Sequence, residues 1–236
     1  LGQAMAASAR AAGVEIRLGS AVASIDVDAG RVTGVTLSDG EQISAGIVVS
    51  NADPVTTFER LVGLRNLETD TARRVSQIRC TGGAAKLHLA LNGLPVFTGL
   101  HQRQLGQRLV IAPDMNYIER AFNAVKYKEY STAPALDISI PTVHDAQLAP
   151  AGGHVLSAIV QFAPYSPRGG WEAHRTTFTQ LVVDCIARYA PGIEQQIVAS
   201  ELLTPADLER DYGMTGGHWH HGELGMDQVL RMRPCP

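Results

Sequence analysis

Nine residues near the end of the chain, TGGHWHHGE (Thr215–Glu223), concentrate more reactive side chains than any other stretch. Glycines, three histidines, a tryptophan and a carboxylate fall together there. Histidine and glutamate are natural ligands for zinc or iron. In a strand, however, His218 and His220 share one face while His221 opposes them. At most two ligands then come together, and HExxH, CxxC and facial-triad spacings are absent. A metal-hydrolase reading on His218, His220 and Glu223 is therefore the weakest of three, and no metal ligand is assigned. In the second reading the glycines let the backbone approach a planar ligand, with His218 or Trp219 near its ring. In the third the segment is an ordered loop whose histidines are simply hydrogen-bonded.

A second loop, Ser50-Asn51-Ala52-Asp53, follows the apolar run Ile47-Val48-Val49 and precedes Pro54. Asp53 can cap a helix whose first position is Pro54. Ligands of open α/β sheets bind outside the carboxyl ends of strands, where such a loop sits. Nucleophilic chemistry finds little support. GxSxG is missing, Cys80, Cys185 and Cys235 lack neighbours that would activate a thiol, and Cys185 lies on an apolar helix stripe. GxGxxG and Walker loops are also missing.

The elements that carry these residues follow from hydrophobic period. Residues 1–12 form an Ala-rich helix stopped by Gly13. Val14, Ile16 and Leu18 alternate as a strand. Ala23, Ile25 and Val27 alternate in the next, which puts Val22 on the opposite face. Turns at Asp28-Ala29-Gly30 and Asp39-Gly40 fold this region into a β-meander. Ile47-Val48-Val49 reads as a central strand covered on both faces. Helices are expected over 54–61 and 66–78, and a break at Thr81-Gly82-Gly83 precedes a strand over 84–91. Beyond it come a helix after Asp114, strands over 136–140 and 155–162, and the longest helix over 172–189. A strand over 197–203 follows, then a short helix opened by Thr204 with Asp207 three positions on. The strands at 84, 136 and 155 suggest one antiparallel sheet. Lys86 and His88 alternate out of its core. The expected fold class is α/β (α+β). Residues 1–80 are a partial Rossmann-like domain with a β-meander. Residues 81–212 are a substrate domain of mixed or antiparallel sheet backed by helices, and 213–236 are a return segment.

The chain has 236 residues, 45% of them hydrophobic and 18% charged, with net charge −3. That suffices for one substantial core or two smaller ones. No basic patch supports nucleic-acid binding. No apolar run reaches the ~20 residues of a membrane helix, which leaves peripheral membrane contact open. Three scattered cysteines suit a reduced, cytoplasmic setting rather than a disulfide framework. The absence of a signal-like start and the non-Met Leu1 read as an internal piece of a longer chain.

The blocks GVEIRLGSAVASIDVDAGRVTGVTLSDGEQISAGIVVSNADP, AAKLHLALNGLP and GGHWHHGELGMDQVLRMRPCP together resemble the phytoene-desaturase-like branch of the FAD-dependent, amine-oxidase-type oxidoreductases. The resemblance implies FAD as cofactor, hydride removal from an apolar small molecule, and a parent that passes electrons to oxygen or another acceptor. It implies that Val22 meets the FAD adenine through its backbone. It also implies that Ser50, Asn51, Ala52 and Asp53 pass near the cofactor, and that His218 and Trp219 return towards the flavin. No catalytic acid or base carries over, because such enzymes lean on the flavin. Without a phosphate-cradling loop, these residues alone are expected to bind FAD weakly or not at all. Apolar surface at Ile47–Val49 is expected to favour homo-oligomers. A non-catalytic binding module of the same architecture is the alternative.

Overall fold

The computed structural model describes residues 2–228. The chain divides after Gln77 into two compact units. No helix among the described residues is long and apolar enough to cross a membrane.

In the first unit, α1 (Gly2–Ala11) carries no buried residue. Strands β1 (Val22–Asp28), β2 (Arg31–Leu37) and β3 (Gln42–Ser44) form an antiparallel meander. Ala29 and Gly30 make the first turn with φ 45° and 76°, the positive pair that matches strand twist. The second turn has Gly40 at φ 92°, its N–H donating to Leu37 O at 3.0 Å. Gly34 is required on β2, since a Cβ there would sit 2.2 Å from Ile43 O. Ile25, Leu37 and Val75 are the buried apolar residues here. A π-helical segment, Val55–Gly63, and α2 (Thr69–Ser76) complete the unit.

Two expected strands are not formed. Val14, Ile16 and Leu18 lie in irregular backbone, and the Val14 N–H is spent on Ala9 O at the end of α1. Leu18 is 85% exposed. Ile47–Val49 is also irregular, with Ile47 83% and Val49 91% exposed. A strand is held by its neighbours' N–H and C=O groups, and neither run has a ladder partner among the described residues.

The second unit is built on a five-stranded antiparallel sheet, ordered β5 (Leu109–Ile111), β6 (Ala135–Ser139), β7 (His154–Gln161), β4 (Ala84–Leu91), β8 (Ile197–Leu203). Its strict alternation sends Leu87, Leu89 and Leu91 of β4, Leu156 and Val160 of β7, and Leu136 and Ile138 of β6 into one core. Helix α4 (Gly170–Ala187) contributes Phe178, Val182, Cys185 and Ile186 to that core. Cys185 is buried there, and burial pushes its thiol pKa up. Helix α3 (Met115–Lys126) is capped by Asp114, whose Oδ1 accepts the Tyr117 N–H at 2.7 Å. Helix α5 (Pro205–Tyr212) has the expected capping box of Thr204 and Asp207.

Candidate functional site

The Ser50–Asp53 loop is held by its own short side chains. Ser50 Oγ lies 2.7 Å from Thr57 Oγ1 and accepts the Ala52 N–H at 3.3 Å. Buried Asp53 accepts the Thr56 N–H at 2.9 Å and its hydroxyl at 2.8 Å. It thereby caps the helix that Pro54 opens. Asn51 is left exposed at the loop's tip. Val22, at the start of β1, is 38% exposed. A bulge between Val22 and Ser24 interrupts the alternation that sets its facing.

His218 and Trp219 belong to the second unit. The segment around them is not a strand, so the shared face expected for His218 and His220 does not arise. Thr215–Gly217 is a single 3₁₀ turn, and irregular backbone follows. The glycines serve close backbone packing. Gly82 N–H donates to Gly216 O at 2.8 Å. A Cβ on Gly216 would sit 2.0 Å from Cys80 O, and one on Gly217 2.0 Å from Pro205 O. Arg79 fastens the following residues. Its guanidinium grips Asp227 at 2.7 and 2.8 Å and Glu223 at 3.1 Å, and its carbonyl accepts the Glu223 N–H. Glu223 is thus engaged with an arginine, and no group of three metal-ligating side chains occurs among the described residues. The Trp219 ring, 38% exposed, packs 5.0 Å from that of His220.

This knot predicts its own sensitivity. Gly217→Ala is expected to cost about 2–4 kcal/mol, from a strained positive φ plus overpacking. Gly213→Ala has equally positive φ at the end of α5 but open space around it, so about 1 kcal/mol is expected. Urea denaturation of both variants checks the difference.

The sheet face opposite α4 carries the groups that alternation alone had marked only as non-core. Arg108 is paired with Asp137. Lys86 is half-buried beside Ile159 and Leu203, its cross-strand neighbours. Among the described residues no carboxylate lies within ion-pair distance of its ammonium. Burial, then the nearby Arg108, lower its pKa, with Asp137 opposing. Two residues along, His88 Nδ1 lies 3.2 Å from Ser157 Oγ. Burial and Lys86 hold the imidazole below its usual pKa against the pull of Glu201, so it is neutral near pH 7. A half-desolvated cation without a counterion favours negative charge that develops near it. A neutral imidazole beside it can donate or accept one hydrogen bond.

No family model matches the chain. It is 35% identical over 251 aligned positions to pyridine nucleotide-disulfide oxidoreductase domain-containing protein 2 of Mus musculus, covering 100% of this chain and 43% of that protein. It is 25% identical over 215 positions to the lycopene-forming phytoene desaturase of a Paracoccus species, covering 89% of the chain and 40% of the relative. The chain therefore spans less than half the length of these relatives. The crystal structure of an oxidoreductase from Methanosarcina mazei shares the fold, with TM-score 0.53 and 14% identity over 86% of this chain and 41% of that one. Over its whole length the chain is similar to the pyridine nucleotide-disulfide oxidoreductase domain-containing protein 2 relatives, and over 89% of it to a phytoene desaturase.

Proposed function

We propose that this chain supplies the adenine-side ribbon and the substrate-facing sheet of an FAD-dependent oxidoreductase that removes hydride from an apolar substrate. The observation that carries the reading is Lys86, half-buried on the sheet face opposite α4 and, among the described residues, with no carboxylate in ion-pair distance. The donor set fits a flavin, since a reduced isoalloxazine gains negative charge and an unpaired cation is what such a group needs. Bound FAD supplies the two-electron acceptor. Lys86 holds positive charge towards it, while Ile159, Val155 and Leu203 present apolar surface to the substrate and keep water out. The Val22 backbone and the Ser50–Asp53 loop serve the adenine side. Trp219 and His218 serve the ring side.

The test is spectroscopic. Purified full-length protein is expected to be yellow and to release flavin on heating; a colourless protein sinks the proposal. Lys86→Met is expected to keep the flavin but slow its anaerobic reduction by roughly tenfold to a hundredfold, the scale of losing one electrostatic stabiliser. Stopped-flow absorbance reads that rate.

A further inference from the structure

The open sheet face holds a row that hydride transfer to a flavin does not require. Ser139 on β6, Ser157 on β7, His88 on β4 and Glu201 on β8 stand directly across from one another in register. Ser139 Oγ donates to Ser157 O at 3.4 Å. Ser157 is 8% exposed, and its Oγ meets His88 Nδ1 at 3.2 Å. The imidazole is thereby held by one nitrogen. Its Nε2 has no hydrogen-bond partner among the described residues. A half-buried ring with one nitrogen fixed and the other unpartnered presents a single oriented polar atom to a group that enters this face.

The flanking charges say which kind of group fits. Lys86, two residues away on the same strand, disfavours a protonated amine. Glu201, opposite His88 on β8, disfavours a carboxylate. With both signs at hand, the group that suits Nε2 is neutral and able to donate or accept. Val155, Ile159, Ala90 and Leu203 are apolar members of this face, which also carries the Arg108–Asp137 pair beside Ile159. We propose that His88, oriented by Ser157, hydrogen-bonds a hydroxyl on the substrate, which is an apolar-bodied alcohol rather than a bare hydrocarbon or an ion. This rests on the reading of this face as substrate-facing. In these terms His88 is a specificity-determining residue and Ser157 a positioning one.

The experiment compares 1-octanol with octane, each titrated calorimetrically into the full-length protein. Octanol is expected to bind about tenfold more tightly, the worth of one hydrogen bond to a preorganised partner. In His88→Leu the preference for octanol over octane should disappear. Ser157→Ala, a milder change, should shrink the preference severalfold while leaving octane binding intact. Equal affinities in the unchanged protein, a preference that survives both substitutions, or no binding of either ligand would each overturn the assignment. Colour separates this outcome from the broader one. A yellow protein without the octanol preference rejects the role of His88 alone, whereas a colourless protein rejects the flavin reading beneath it.

Discussion

Phe178→Ala should cost the protein about 3–5 kcal/mol, the range for deleting a fully enclosed aromatic ring. Phe178 is 0% exposed at the middle of α4. Its ring lies 4.7 Å from that of Tyr130 and 5.4 Å from that of Trp171. Trp171 is itself fixed by its indole N–H, which donates to Pro164 O at 3.0 Å. The neighbours thus cannot collapse into the vacated space, which places the cost towards the upper end. Against a total stability of roughly 5–15 kcal/mol, the loss is large. Urea titration should show a lower midpoint with unchanged slope. Tyr189, 40% exposed beyond the same helix, is the control. Its replacement by alanine should cost about 1 kcal/mol or less, and equal losses at the two sites would refute the packing argument.

Asp207→Asn should be nearly as damaging, at about 3 kcal/mol, through charge rather than volume. The carboxylate is 2% exposed. Burial alone pushes its pKa up. That effect is more than offset by Arg175, bonded at 2.8 and 3.1 Å, and by the N–H and hydroxyl of Thr204 at 2.8 and 2.7 Å. The carboxyl is therefore held well below the usual carboxylate range. Because the folded pKa lies below the unfolded one, the stabilisation is complete at neutral pH. It fades as pH drops below about 4, the unfolded value. Asp207→Asn should accordingly lose stability at pH 7 yet show a shallower decline between about pH 4 and pH 2 than the unchanged protein. Parallel acid-denaturation curves for the two would show that Asp207 is not linked to folding in this way.

What the sequence disclosed is mostly local. The alternation of Ala84 to Leu91 fixed β4 to the residue, and the run from Ile197 to Leu203 did the same for β8. Caps at Asp114 and Thr204 were legible because an N-cap satisfies backbone groups only three positions away. Ile47–Val49 misled because apolar β-branched character states a preference for pairing without naming a partner. Lys86 and His88 were placed on the correct face by parity. Parity does not tell a face open to water from one whose side chains shield each other, and the half-burial of both arises from Ile159, Leu203 and Ser157 on other strands. From the sequence, the glycines of Thr215–Glu223 fit either room for a planar ligand or an ordered loop. The space they leave is taken by the carbonyls of Cys80 and Pro205, residues distant in sequence and so invisible to any short pattern.

The Arg79 grip has a temporal side. Its partners Glu223, Asp227 and Gln228 lie 144, 148 and 149 positions further along the chain. At a synthesis rate of about 5–20 residues per second, the ribosome delivers them roughly 7–30 s after Arg79 emerges. During that interval the stretch entering β4 lacks this fastening, while β7 and β8, the strands that pair with β4, are already made by Leu203. A nascent chain stalled before Glu223 would therefore carry every strand of the five-stranded sheet with its entry at Arg79 still unfastened.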